Sequence, residues 1–388
     1  MNLRDYQADA IRSSWADLQQ EAAASLVVLP TGTGKTVVFS SLADQWVKAG
    51  LGRVLILAHR FELIDQAAKK FATVAGYEPA IEMADNWAAS HGFIWASQVV
   101  VGSVPTMRGS RLTRWPSDYF TLIITDECHH ATASGYRKIY EHFHQAKILG
   151  VTATPDRSDK KSLGRVFHSV AYQLGIREAI GLGWLVPIRQ KFIHVDSIDV
   201  SGVATSQGDL DASQLDRVMR IDENIHRVAK PTFDMAGDRP TLVFATSVAH
   251  SKEISDVLNS YRPGCSEYVA SYRITEDGGQ EQYCDIKRAN EVAKFKAGSR
   301  QFLVSCGVFL EGFDSPPTAC IAMARPTKSR SLYAQALGRG TRPLDGLVDG
   351  KATAEERVQA ILNSAKPDCL VLDFVGNSGK HKLVYADE

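Results

Sequence analysis

Two stretches of this sequence have the residue types and spacing to handle phosphate. Leu26-Val27-Val28-Leu29 is an apolar, β-branched run that leads into Pro30-Thr31-Gly32-Thr33-Gly34-Lys35-Thr36 and then into a helical stretch. Strand, small-residue loop and helix, in that order, are the parts of a phosphate-binding loop. The small residues Thr31, Gly32, Thr33 and Gly34 let backbone N–H groups curl round a β-phosphate, and the helix N-terminus adds its dipole. Lys35 is then placed to reach β- and γ-phosphates, and the Thr36 hydroxyl to take Mg²⁺. The strict pattern has Gly at position 29, where this chain has Leu29.

The second stretch is an acidic pair at the end of an apolar run. Leu122-Ile123-Ile124-Thr125 delivers Asp126-Glu127-Cys128-His129 at its carboxyl end, where ligands sit in open α/β sheets. Asp126 suits a Mg²⁺ held through water, and Glu127 suits the water that attacks a γ-phosphate. Alone, such a pair is as well explained as a helix N-cap; the upstream phosphate loop favours the catalytic reading. Cys128, His129 and His130 suggest zinc, but three consecutive residues do not easily converge on one tetrahedral ion. His129 is expected instead to link the ATP site to neighbouring elements by hydrogen bonds.

These residues need a scaffold, and the apolar pattern supplies one. Short runs at Leu26–Leu29, Val54–Ala58, Val99–Val101, Leu122–Thr125 and Ile148–Val151 alternate with helical spacing at Lys35–Lys48 and Phe61–Val74. That is the signature of a parallel sheet covered by helices on both faces. The plan recurs at Leu242–Ala245, Tyr268–Ala270, Phe302–Ser305, Cys320–Ala324 and Leu370–Phe374, with helices near Val248–Leu258 and Ile286–Phe295. At 388 residues, 44% apolar and 23% charged, the chain has the profile of a soluble globular protein of two domains. We expect the first to cover 1–195 and the second 240–388, with 196–239 as a connector containing one helix around Leu215–Phe233.

Lys+Arg and Asp+Glu are both 44, so no whole-molecule basic field marks a polyanion partner, and any such partner must be gripped locally. The six cysteines contain no CxxC pair, which argues against a zinc knuckle or disulfide framework and for a reducing, cytoplasmic setting. No signal-like start and no run of about 18 apolar residues is present, so secretion and membrane spanning are not expected.

The ordered motifs resemble those of the superfamily 2 helicases and translocases along nearly the whole chain. Leu3-Arg4-Asp5-Tyr6-Gln7 is similar to the family's LRxYQ element, which implies a nucleotide-site role for Arg4 and adenine reading by Gln7. Asp126-Glu127-Cys128-His129 resembles the DExH box. Gly150-Val151-Thr152-Ala153-Thr154-Pro155 resembles the TATP motif, implying that Thr152 and Thr154 couple hydrolysis to domain movement. Phe302–Ser305 with Glu311-Gly312-Phe313-Asp314-Ser315-Pro316 resembles motif V, which puts Asp314 at the ribose or in the coupling network. Gln335-Ala336-Leu337-Gly338-Arg339-Gly340-Thr341-Arg342 matches QxxGRxxR, implying coupling by Gln335 and γ-phosphate cations at Arg339 and Arg342. The implied fold is α/β, two tandem RecA-like domains, each a mostly parallel sheet with helices on both faces. The implied activity is a nucleic-acid-stimulated ATPase using ATP and Mg²⁺, its two domains meeting over the nucleotide.

Ala58-His59-Arg60-Phe61-Glu62-Leu63 is similar to the AHRxEL form of DNA translocases and restriction-enzyme motors, implying that His59 and Arg60 grip the phosphodiester backbone. Gly102, Ser103, Thr246 and Ser305 sit where the family donates hydrogen bonds to phosphates, although each also suits a turn or cap. Arg108, Arg111 and Arg114, interleaved with Trp115, form either a basic track or a solvated loop. Val54–Gln66, Ala324–Ser329 and Cys369–Asn377 look most like the bacterial RadD-type DNA-repair helicases. DNA is therefore the expected polymer. An RNA helicase of the same fold, an ATP-gated clamp and the motor subunit of a restriction or defence assembly stand as alternatives.

Overall fold

The structure is a computed structural model and describes residues 3–20, 24–59, 61–88, 97–153, 163–206, 208–275, 279–307 and 313–377. It divides into two compact units, 1–176 and 177–388.

In the first unit, strands β1 (Ala24–Val28), β2 (Val54–Ala58), β3 (Ala80–Glu82), β4 (Val99–Ser103), β5 (Leu122–Asp126), β6 (Lys147–Thr152) and β7 (Ser169–Gln173) form one sheet in the order β3-β4-β2-β5-β6-β1-β7. Every pairing is parallel. β1, β2, β4 and β5 are buried at every position, which is why they read as unbroken apolar runs rather than alternating ones. The helices Lys35–Lys48 and Phe61–Ala75 follow β1 and β2 as the chain moves toward one sheet edge. The β4–β5 connection moves back, so right-handed crossovers put its helices on the opposite face. On that face Leu55, Leu57, Val100 and Ile123 pack with Trp115, Phe120, Ile139 and Phe143.

In the second unit, β8 (Ile188–Asp199) is followed by a small antiparallel pair, β9 (Thr205–Ser206) and β10 (Asp209–Leu210). The main strands are β11 (Thr241–Phe244), β12 (Ser266–Val269), β15 (Phe302–Ser305), β16 (Cys320–Met323) and β17 (Cys369–Asn377), with a hairpin of β13 (Tyr272–Ile274) and β14 (Gln280–Gln282) between β12 and β15. The sheet order is β12-β15-β11-β16-β17-β8, again parallel throughout. Both units are thus the α/β sheets that the apolar pattern implied.

The division of the chain differs from the expected one. It falls at 176/177, ahead of residue 195, because β8 pairs with β17 from Cys369↔Ile188 onward and so belongs to the second sheet. Residues expected to form a connector are packed into that unit. Val200, Leu210, Leu215, Met219, Ile225 and Val228 are buried in its core. The single helix expected there is two, Ala212–Met219 and Asp222–Ala236.

Candidate nucleotide site and nucleic-acid positions

The phosphate loop lies between β1 and the helix Lys35–Lys48. Gly32 and Gly34 have φ of 89° and 81°, a left-handed backbone that glycine adopts without steric cost. A Cβ on Gly34 would also lie 2.7 Å from Gln7 Nε2. No side chain caps the helix N-terminus, so its first N–H groups face the loop. The Thr31 hydroxyl is buried with no hydrogen-bond partner among the described residues. A left-handed loop, an uncapped helix start, a buried hydroxyl lacking an acceptor and a lysine at the first helical position fit a nucleotide polyphosphate.

The helix Asp5–Leu18 braces this loop from behind. Tyr6 donates its hydroxyl proton to the Thr33 carbonyl at 2.6 Å, and Gln7 Nε2 donates to the same oxygen at 3.0 Å. Gln7 Oε1 accepts from the Arg4 N–H at 3.0 Å, and Thr33 Oγ1 donates to Pro30 O at 2.6 Å. Gln7 therefore stands against the loop, with Arg4 next to it. Tyr6, quoted only as part of the motif, is a further support of the loop.

Lys35 and the acidic pair come together. Lys35 Nζ is 3.6 Å from Glu127 Oε1, with both side chains about one-tenth exposed. Asp126 ends β5, and its Oδ1 accepts the Glu127 N–H at 2.9 Å. Glu127 has φ 46° and ψ 51°, a left-handed conformation that costs a non-glycine residue about 1–3 kcal/mol and is found where surroundings enforce it, functional sites included. Thr36 is half-buried one position beyond Lys35. Thr152 ends β6 beside β1, and its carbonyl accepts the Leu29 N–H at 3.0 Å, tying the TATP-like segment to the phosphate loop. Thr154 and Arg60 lie outside the described residues.

Cys128, His129 and His130 form a short 3-10 turn. Cys128 points into a small apolar cluster with Leu163 and Phe167, and burial pushes its thiol pKa well up. His129 Nδ1 lies 3.4 Å from Glu127 Oε2. The His129 and His130 rings are 4.1 Å apart, and His130 meets His59 edge-on at 4.6 Å. The position after β2 that the resemblance gives to nucleic acid therefore reaches Glu127 through a chain of histidine contacts.

In the second unit the motif V and QxxGRxxR segments are clasped together. Arg342 pairs with Asp314, and with Asp345 at 2.8 Å. Arg339 Nη1 donates to Phe313 O. Lys366, 1% exposed, donates to Pro316 O at 2.7 Å and to Arg342 O at 2.5 Å, and burial lowers its pKa to about 8. Nothing in the Ser364-Ala365-Lys366-Pro367 stretch marked this lysine out. Gln335 is buried in the helix Arg330–Gly340. Glu311 and Gly312 are outside the described residues.

The other nucleic-acid positions are more enclosed than their motifs suggested. Gly102 is buried at the end of β4, and a Cβ there would meet Met107 Sδ at 2.6 Å, so packing alone accounts for the glycine. Ser103 is buried, and its carbonyl accepts from Thr106 and Met107. Thr246 Oγ1 is 2.6 Å from Asp216 and 2.9 Å from His250 Nδ1; burial lowers the His250 pKa to about 4 and keeps it neutral. Ser305 is buried, its hydroxyl without a hydrogen-bond partner among the described residues. The stretch holding Arg108, Arg111, Arg114 and Trp115 is more enclosed than either a basic track or a solvated loop would be. Trp115 is 1% exposed in the core, while Arg111 and Arg114 turn toward the buried Glu82. Only Arg108 is exposed.

The family described as type III restriction enzyme, res subunit, matches residues 1–157. A Saccharomyces cerevisiae protein named as an ATP-dependent helicase, IRC3, is 32% identical over 97% of this chain and 52% of its own length. The type I restriction enzyme EcoAI endonuclease subunit of Escherichia coli is 26% identical over 87% of this chain and 44% of its own. Among solved structures, a fragment of an HsdR subunit of a type I restriction enzyme from Vibrio vulnificus superposes with a TM-score of 0.69 at 23% identity, covering 97% of this chain and 64% of that one. Over most of its length the chain is similar to an ATP-dependent helicase and to restriction-enzyme subunits. It spans about half the length of the curated relatives it matches. Among the described residues no helix is long and apolar enough to cross a membrane.

Proposed function

We propose that this chain is an ATP-dependent DNA helicase or translocase that couples ATP hydrolysis to movement on, or unwinding of, DNA. The observation that carries the reading is the approach of Lys35 and Glu127 to 3.6 Å beside a left-handed glycine loop at a helix N-terminus. Lys35 and the loop N–H groups hold the β- and γ-phosphates, and Gln7, with Arg4 beside it, reads adenine. Thr36 and Asp126 are the groups that would hold Mg²⁺, which when bound neutralises charge on the phosphates. Glu127 orients the attacking water and receives its proton. By the resemblance of their motifs, Arg339, Arg342 and Asp314 are assigned to the transferring phosphate and its coupling. His129, Thr152, Thr154 and Gln335 transmit the state of the nucleotide.

His59, Arg60, Gly102, Ser103, Thr246 and Ser305 are assigned to the phosphodiester backbone, a grip indifferent to sequence. The AHRxEL form of Ala58–Leu63 and the likeness to restriction-enzyme subunits support DNA over RNA. The test is ATP-dependent displacement of a third strand from duplex DNA, run beside strand displacement from a fork. Displacement in either assay is expected. ATP hydrolysis without displacement in both would overturn the motor reading, and DNA binding without sustained hydrolysis would make the chain an ATP-gated clamp.

A further inference from the structure

The edge of the first unit's sheet presents an aromatic side chain that no motif marks. β3 runs beside β4 with Glu82 paired to Gly102, and after Glu82 the chain makes a tight turn. Met83 and Asn86 exchange backbone hydrogen bonds of 3.0 and 2.8 Å, and Ala84 has φ 48°. A non-glycine residue holds that conformation only when its surroundings enforce it. Here they do. Arg111 donates to the Glu82 carboxylate and to the carbonyls of Ala84 and Asn86, and the Ala88 N–H donates to Glu82 at 2.9 Å. Glu82 itself is fully buried.

The turn ends in Trp87, which is 45% exposed. The guanidinium carbons of Arg111 and Arg114 lie 4.1 and 4.3 Å from its ring centroid. The two guanidiniums lie over the indole, fix its orientation and bring positive charge to it, and the exposed remainder of Trp87 is the surface a base would meet. One buried carboxylate offsets only one of the two cations. The assembly stands at the carboxyl ends of β3 and β4, next to Gly102 and Ser103; the Ala84 N–H is 3.4 Å from Thr106 Oγ1, and Arg108 is exposed two residues beyond that threonine. A large aromatic surface held rigid, half in water and flanked by cations, beside positions assigned to a phosphate backbone, has the chemistry of a single-strand stacking platform.

We infer that Trp87, oriented by Arg111 and Arg114, is a stacking site for an unpaired base of the nucleic acid. The inference rests on the proposed reading of the chain as a nucleic-acid motor. Arg111 and Arg114 act through Trp87, whereas Trp87 touches the base. Stacking needs a π-face and no particular base edge, so the site takes any nucleobase and adds affinity without sequence preference.

The experiment measures binding of a labelled oligo(dT) to the full chain by anisotropy across a salt series. The variants are Trp87→Ala, Trp87→Phe and Arg108→Ala. Trp87→Ala is expected to weaken binding by about 5- to 150-fold, the range for one stacked base, with the salt slope unchanged because no phosphate contact is removed. Trp87→Phe should recover most of that loss. Arg108→Ala should instead shallow the slope. In parallel, oligonucleotide carrying 5-iodouracil should photo-crosslink in the wild-type chain to the peptide containing Trp87, a readout that does not depend on a variant's folding. Wild-type affinity in Trp87→Ala together with no crosslink at Trp87 would overturn the stacking site and leave the motor intact. Failure of the wild-type chain to bind any nucleic acid would overturn the motor reading and this inference with it.

Discussion

Lys35 Nζ stands 3.6 Å from Glu127 Oε1, so the cation assigned to the γ-phosphate and the carboxylate assigned to the attacking water face each other. With both side chains nearly buried, their attraction is stronger than in bulk water. On that assignment an arriving polyphosphate would compete for the lysine and free the carboxylate to hold water. Lys35→Ala is therefore expected to lower ATP turnover by at least 10²–10³-fold, the scale for losing a charge that stabilises the transition state. Glu127→Gln is expected to bind ATP at least as tightly as wild type while turnover falls by about 10²–10⁴-fold. Equilibrium nucleotide binding beside steady-state hydrolysis separates the two effects. Full activity in Glu127→Gln would remove the water-activating role.

Arg342 is held by Asp314 and Asp345. If it acts on the transferring phosphate, Arg342→Ala lowers turnover by roughly 10³-fold or more. A loss below about tenfold would confine it to the clasp with Asp314. Arg342→Lys adds a further discrimination, because an ammonium keeps the charge and loses the two-pronged geometry.

The ring contacts His59–His130 and His130–His129 lead to the carboxylate of Glu127. Replacing His130 by Ala is expected to reduce the ratio of polymer-stimulated to basal ATP turnover several-fold, while direct DNA affinity changes less than that ratio. Paired ATPase and anisotropy measurements give both quantities. An unchanged ratio would make the histidines a packing feature.

Lys366 offers a pH test. Its pKa falls from 10.5 to about 8 because burial disfavours the ammonium. Between those values the unfolded chain binds more protons at this site than the folded chain, so its contribution to stability rises with pH. Below pH 8 the penalty is fully present. A fall from 10.5 to about 8 corresponds to about 3 kcal/mol, or several degrees in melting temperature. Wild type should therefore gain stability relative to Lys366→Met from pH 8 to pH 10, read as the difference between their melting curves. A constant difference would show the site does not titrate in that window.

The phosphate loop and the acidic pair were legible because each is local: a buried strand, a turn and a helix start within a dozen residues. β2 and β15, at Val54–Ala58 and Phe302–Ser305, were read to the residue, since buried parallel strands are unbroken apolar runs. β8 was not. Ile188-Arg189-Gln190-Lys191-Phe192 puts three polar residues in a row on a half-exposed edge, so it shows neither an unbroken apolar run nor an alternation, and its partner β17 lies far along the chain. That misplaced the boundary between the units. Trp115 beside three arginines resembled a nucleic-acid track, but pattern alone does not say that its ring packs on Phe120 while Trp87 is the exposed one. Thr246 was assigned to nucleic acid by position alone, and its hydroxyl is shared with Asp216 and His250, the former a contact across 30 residues that no motif encodes.

The central claim is a motor driven by DNA-stimulated ATP hydrolysis, and the most direct measurement is steady-state turnover by the purified chain at fixed salt. It is run with no polymer, single-stranded DNA, duplex DNA and RNA, using Glu127→Gln as the blank. The account predicts stimulation by one or both DNA forms and not by RNA, with the better DNA form indicating unwinding or duplex tracking. Equal or greater stimulation by RNA would contradict the DNA assignment, and turnover no higher than that of Glu127→Gln under every condition would contradict the motor itself.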